Sequence, residues 1–229
     1  VTGAVNVTVT GAATIAQLTT IDALTTGSLT YGAVSDTAAN LATDAGTYVS
    51  GTHPVTVTDA ATIAQLTAID GYTSGTMTYG AVTDIAATLV INAGGYVSGA
   101  HAVVVTDAAS ITQLTTIDGY TVNTVTYGTI VDTAANLAAN AGGYVSGSHP
   151  VTVTDPATIA QLTTIDGLTS GLITATTIAD TAANLDADVT YIFGSVNVTV
   201  TTPATSAQLA EFDRILPMFT QYPNLYGDI

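Results

Sequence analysis

Valine and threonine alternate over Val55-Thr56-Val57-Thr58, and the apolar residues that follow, Ile63, Leu66 and Ile69, fall three apart. The first pattern has the period of a strand with one buried face, and the second that of a helix, here in an Ala-rich segment. Asp59 stands between them as the predicted N-cap. The next 24 residues repeat the sense of the first 24. Thr76-Met77-Thr78-Tyr79-Gly80-Ala81-Val82-Thr83 reads as a strand, Asp84 as a cap, Ile85–Leu89 as a short helix, and Gly94-Gly95 as its stop. Pro156 and Pro203 follow polar residues where a first helical residue tolerates a missing N–H.

The whole pattern recurs with a period of 48 residues: His53, His101, His149; Asp22, Asp70, Asp118, Asp166; Gly51, Gly99, Gly147; Tyr48, Tyr96, Tyr144. One residue is lost near 186–189, after which the pattern resumes at Tyr191, Gly194, Pro203 and Asp213. A β–α unit of this size cannot bury its own apolar face, so neighbours must stack. The prediction is an α/β repeat fold, a right-handed, leucine-rich-repeat-like β–α solenoid of about nine coils with one parallel sheet on one face. Strand spacing makes such a stack roughly 40–45 Å long. Its expected core is Val55, Val57, Ile63, Leu66, Ile69, Met77, Val82, Leu89 and their equivalents. A β-sandwich with irregular loops fits the Ala-rich segments poorly.

The ends depart from the pattern. Glu211, Phe212, Arg214, Ile215, Leu216, Met218 and Phe219 include the only Glu and the only Arg, so 1–202 reads as tandem repeat and 203–229 as a C-terminal cap broken at Pro217 and Pro223. At the other end Val5, Val7 and Val9 open an uncharged strand, an edge that invites a partner strand. A head-to-tail contact there builds filaments. Val1 in place of an initiator Met reads as a processed or excised piece.

Charge narrows the partners. One Lys+Arg against 17 Asp+Glu gives −16, which leaves no cationic footprint for nucleic acid. No apolar run reaches the length of a membrane span. Without cysteine there are no disulfides, thiolate metal sites or cysteine nucleophiles. Without lysine there is no phosphate loop of the Gly-rich, Lys-bearing kind.

Twelve of the acids form three rows: Asp36, Asp84, Asp132, Asp180; Asp59, Asp107, Asp155; and Asp22, Asp70, Asp118, Asp166, Asp213. The first two rows precede helices and are expected to cap them, offsetting a repulsion of on the order of 1 kcal/mol per pair if the rows merge. The same carboxylates are the candidate Ca²⁺ ligands, since calcium takes six to eight oxygens. The glycine-rich nonapeptide and the Asp-x-Asp-x-Asp-Gly loop of known calcium sites are absent. The histidines stand about two coils apart, too far to share one zinc ion, and read as polar residues at a strand entrance. Gly95-Tyr96-Val97-Ser98-Gly99 is not a nucleophile elbow, and it repeats where an active site is singular; the chain reads as non-catalytic. The tyrosines, the Gln row (Gln17, Gln65, Gln113, Gln161, Gln208) and the Asn row (Asn40, Asn136, Asn184) are expected to form ladders between coils. Thr-x-Thr pairs, above all Thr56/Thr58 and Thr152/Thr154, are the candidate surface-binding face. Flat Thr-x-Thr faces resemble those of hyperactive ice-binding proteins. Two registers are open: 20 residues from Thr58 to Thr78, or, preferred, 25 from Val57 to Val82, which breaks the array.

The strings VTVTDAATIAQLTAID and VSDTAANLA resemble tandem repeats of very large secreted bacterial surface proteins, cyanobacterial or proteobacterial, rich in Thr, Ala and Val. The resemblance covers about nine-tenths of the chain. It implies a secreted or cell-surface location, contacts with cell surface or matrix, and adhesive, S-layer-like or filamentous roles, with no catalytic residues to carry over. The alternative is a ligand-binding solenoid that takes Ca²⁺ on the Asp rows or ice on the threonine face.

Overall fold

The computed structural model describes residues 3–188, 190–192 and 196–215, with side chains as far as residue 210. Short parallel strands alternate with helices throughout. The first repeat holds β1 (Val7–Val9), α1 (Ile15–Asp22), β2 (Leu29–Tyr31), β3 (Val34–Asp36) and α2 (Ala38–Thr43). The second holds β4 (Val55–Val57), α3 (Ile63–Tyr72), β5 (Met77–Thr78), β6 (Val82–Asp84) and α4 (Ala86–Ile91). Then come β7 (Val103–Val105), α5 (Ile111–Asp118), β8 (Val125–Thr126), β9 (Ile130–Asp132) and α6 (Ala134–Ala139). The fourth repeat gives β10 (Val151–Val153), α7 (Ile159–Asp166), β11 (Ile173–Ala175), β12 (Thr177–Asp180) and α8 (Ala182–Ala187), followed by β13 (Asn197–Val200) and α9 (Ser206–Ile215). Two compact units result, one of Val1–Asp107 with Gln113–Tyr127, the other of Ala108–Thr112 with Gly128–Ile229.

The helices begin later than expected, because threonine and not aspartate caps them. Thr14, Thr62 and Thr158 form capping boxes: each threonine N–H donates to Oε1 of the glutamine three residues on, at 2.9 Å, and that glutamine's N–H donates back to the threonine hydroxyl at 3.2 Å. Asp59 therefore precedes the true N-cap by three residues, and Pro156 precedes Thr158 by two instead of occupying the first helical position. Thr37, Thr133 and Thr181 cap the shorter helices, whereas α4 starts at Ile85 without a side-chain cap. Asp44, Asn92 and Asn140 close α2, α4 and α6 in the left-handed region. Their side-chain oxygens then accept the N–H of Val49, Val97 and Val145, which are buried.

Among the described residues the parallel strands form five short sheets instead of one: β1-β2, β3-β4-β5 and β6-β7-β8 in the first unit, β9-β10-β11 and β12-β13 in the second. A bend at Gly32–Ala33, Tyr79–Ala81, Tyr127–Thr129 and Thr176 splits the second strand of each repeat. The piece before the bend pairs with the strand behind it, and the piece after the bend pairs with the strand ahead. Val55 lies opposite Met77 and Val82 opposite Val103, offsets of 22 and 21 residues. Neither expected register survives: the 25-residue alignment of Val57 with Val82 fails because Ala61, not Val57, bridges to Val82.

Each unit has its own core. Val55, Val57, Ile63, Leu66, Ile69, Val82 and Leu89 are buried as expected, with Val34, Leu41 and Leu18 beside them in the first unit and Ile130, Leu137, Leu162, Ile165, Ile178 and Leu185 in the second. Met77 is only half-buried, because β5 is two residues long and has a paired strand on one side alone.

Candidate functional site

The acid rows sit at helix starts, but on the helix of the preceding half-repeat. Asp36, Asp84, Asp132 and Asp180 end a strand, and one carboxylate oxygen of each accepts the N–H of Ile15, Ile63, Ile111 and Ile159, 21 residues earlier, at 2.9–3.1 Å. Each of those isoleucines is the first residue of its helix, so the carboxylate satisfies an N–H that the helix itself leaves unpaired. The other oxygen accepts the next residue's N–H, from Thr37, Ile85, Thr133 and Thr181. In three repeats it also accepts Nδ2 of Asn40, Asn136 or Asn184, at 2.7–2.8 Å.

The second row does the same for the shorter helices. Asp59, Asp107 and Asp155 accept the N–H of Ala38, Ala86 and Ala134 at 2.6–2.7 Å. At the fourth occurrence Thr202 substitutes, its hydroxyl accepting from Ala182 at 3.1 Å. The register places Asp36 opposite Val57, Asp84 opposite Val105 and Asp132 opposite Val153, so the two rows stay separate instead of merging.

Burial pushes the Asp36 and Asp180 carboxyls up, yet both lie below the usual carboxylate range. Hydrogen bonds from Asn40 and Asn184, and from the backbone at Thr37 and Ile15 or Thr181 and Ile159, favour the charged form and outweigh the desolvation. Among the described residues no three acidic or histidine side chains converge to hold a metal ion. In the third row, Asp22, Asp118 and Asp166 end their helices and Asp70 lies in the last turn of α3. The Tyr48 hydroxyl donates to Asp22 at 3.4 Å. The side chain of Asp213 lies outside the described part; of the expected cap at 203–229, α9 covers Ser206–Ile215 and 216–229 lie outside the described residues.

On the strand faces Thr56 is exposed and flanked by Ser35 on one side and exposed Thr78 on the other. Thr152 is half-buried between Val131 and Thr174. The outward rows are thus at most three strands wide and end at each bend. Thr58 and Thr154 lie just beyond their strands, exposed, and donate their N–H to the carbonyls of Asp36 and Asp132.

The expected ladders take other forms. Gln17, Gln65, Gln161 and Gln208 each bond the threonine at the start of their own helix, and Asn40, Asn136 and Asn184 bond the aspartate four residues earlier. Tyr31 meets Tyr48 edge-on at 6.0 Å and stacks on His53 at 4.3 Å, while Tyr79, Tyr96 and His101 repeat the arrangement at 6.1 and 4.2 Å. These are separate three-ring clusters. The Nδ1 atoms of His53, His101 and His149 lie 2.9–3.2 Å from the carbonyls of Gly32, Gly80 and Gly128, which fixes them as donors. The Thr-x-x-Gln boxes were visible in the sequence as a capping signature. Thr73, Thr121 and Thr169 were not: they are buried, and their hydroxyls donate to the carbonyls of His53, His101 and His149 at 2.7–2.8 Å.

The chain matches no family model, no curated protein and no solved structure. No helix among the described residues is long and apolar enough to cross a membrane.

Proposed function

We propose that the chain is a non-catalytic structural or adhesive repeat region of an extracellular bacterial surface or filament protein, built as a right-handed β–α solenoid of about nine coils. The observation that carries this reading is the repetition of one inter-coil bond. At eight successive helices the first N–H is received by an oxygen from the next half-repeat, seven times an aspartate and once Thr202. Polar chemistry at these helix starts joins one half-repeat to the next, which is what a spacer requires. A net charge of −16 suits a protein facing open water, where like charge opposes non-specific association. Contacts with cell surface or matrix and end-to-end association through β1 belong to the same reading.

The test is fractionation of the source cells, followed by deletion of the coding segment. The chain should appear in the surface or medium fraction, and its deletion should reduce attachment or assembly without loss of an enzymatic step. Recovery from the cytoplasm alone would overturn the reading. Thermal hysteresis in a solution of the purified chain would replace it with ice binding on the face that carries Thr56 and Thr78.

A further inference from the structure

We propose that Asn6 and Asn197 are acceptor sites for an N-linked glycan; the inference rests on the extracellular reading above. Asn6-Val7-Thr8 and Asn197-Val198-Thr199 are the only two Asn-x-Thr triplets in a chain with nine asparagines. They fall at one position of the repeat, where the three intervening repeats have Pro54, Ala102 and Pro150. The chemistry requires an asparagine amide and a threonine hydroxyl two residues on, presented together to the transferring enzyme. A strand does this, because residues i and i+2 share a face. Asn6 and Thr8 are both exposed, with half-buried Val7 between them, and Asn197, Val198 and Thr199 show the same alternation.

The nitrogen is available at both sites. Oδ1 of Asn6 accepts the N–H of Ser28 at 3.0 Å, which orients the amide and leaves Nδ2 without a partner among the described residues. Asn197 makes its strand bond through its backbone N–H, to the carbonyl of Thr176, and its side chain has no hydrogen bond among those residues. Each site lies on a strand that pairs with one neighbour in the described part, β1 with β2 and β13 with β12, so a bulky group meets sheet on one side only.

In the transfer, Nδ2 attacks the anomeric carbon of an oligosaccharide carried on a polyprenyl diphosphate. The carbon–oxygen bond to the diphosphate breaks and the diphosphate leaves with its electron pair. A carbon–nitrogen bond forms, and Nδ2 releases one proton to the enzyme's base.

The chain isolated from its source cells decides the matter by mass spectrometry. Cleavage before aspartate yields peptides 1–21 and 188–212, one for each site. Both should carry a glycan mass, and enzymatic release should leave aspartate at 6 and 197. Thr8→Ala and Thr199→Ala should each abolish the glycan on the neighbouring asparagine with an unchanged melting curve. Unmodified asparagine at both sites in an exported chain, or a glycan that survives Thr8→Ala, would overturn the inference while leaving the extracellular reading intact. If the chain is found only in the cytoplasm, that reading falls. The purified folded chain then goes to an oligosaccharyltransferase with a polyprenyl-diphosphate oligosaccharide: transfer to both sites supports the acceptor geometry, and transfer to neither overturns it.

Discussion

Replacing Asp36 by alanine should destabilise the first unit far more than replacing Asp59. Both carboxylates receive the first N–H of the preceding helix, but Asp36 does more. It is 7% exposed, takes the N–H of Ile15 at 3.0 Å, and holds Thr37 and Asn40 at 2.8 Å each. Asp59 is exposed and accepts one bond, from Ala38 at 2.7 Å. Losing one cap bond at an exposed site costs about 1 kcal/mol. Hydrogen bonds to a charged group contribute about 1.5–3 kcal/mol, and a buried donor left alone adds its own desolvation penalty. Thr37 and Asn40 regain water once the carboxylate is gone, which leaves the buried Ile15 N–H as the main loss. Asp36→Ala should therefore cost about 3 kcal/mol, and Asp36→Asn, which keeps an acceptor, about half that. Urea denaturation read by circular dichroism gives the midpoints, and a constant slope confirms that only stability has moved. Since repeat proteins can unfold in parts, hydrogen exchange at the Ile15 amide supplies the local measure. Asp166→Ala is the control: that acid is exposed at the C-terminal end of α7, where a negative charge meets the negative end of the helix, so removal should be neutral or mildly stabilising. Equal losses for Asp36→Ala and Asp59→Ala, or unchanged exchange at Ile15, would refute the account of carboxylates as caps between half-repeats.

Acid should act through the same groups. The folded pKa values of Asp36 and Asp180 lie below the unfolded value of about 3.9, so their contribution is present above roughly pH 4 and lost as pH falls through the folded values. Melting temperature should drop below pH 4, less steeply in Asp36→Asn; identical slopes would count against the assignment. Thr47 adopts φ 60, where Gly95 and Gly143 stand in the following repeats, so Thr47→Gly should raise stability by about 1 kcal/mol in the same urea assay. Ile85→Thr restores the cap that α4 alone lacks among α2, α4, α6 and α8, and should likewise add about 1 kcal/mol while removing a half-exposed apolar side chain. EDTA at fixed ionic strength should leave the melting temperature unchanged; a fall of many degrees would mean that ions bind on the Asp rows.

The repeat, the alternation of Val with Thr and most of the core could be read from residue order, because each depends on positions a few residues apart. Ile63, Leu66 and Ile69 are buried where a helical period puts them. The register could not be read that way. Half-repeats average 24 residues, but strands pair at 21 and 22, and the difference sits between Met77 and Val82, across the bend at Tyr79–Ala81. No single-residue pattern reveals how many residues a bend absorbs. Asp59 was assigned to the wrong helix for a related reason. Its own helix is four residues away in sequence, whereas the helix it caps lies 21 residues back, next to it only once neighbouring half-repeats pack together. The competing signal, Thr62 with Gln65, was equally local and closer to the helix start, so the capping box should have outranked the aspartate.

The direction of these bonds has a mechanical consequence within each unit. Each carboxylate of the first two rows reaches back to the helix before it, so a helix start is completed by the residues that follow it in the chain. The first turn of α1 is finished by Asp36, that of α2 by Asp59 and that of α3 by Asp84. A half-repeat that has just emerged from synthesis therefore has an unsatisfied helix N-terminus until the next one docks. Stacking thus adds a charged hydrogen bond to the apolar contact at each step. Polar and apolar terms therefore grow together as half-repeats are added, so stability gathers in the interfaces between neighbours. Where the partner aspartate is replaced, as at Thr202, the weaker neutral acceptor at 3.1 Å marks a softer junction. Within the second unit, local opening should begin there, at the N-terminal turn of α8, and hydrogen exchange at the Ala182 amide faster than at those of Ala134 and Ile159 checks it.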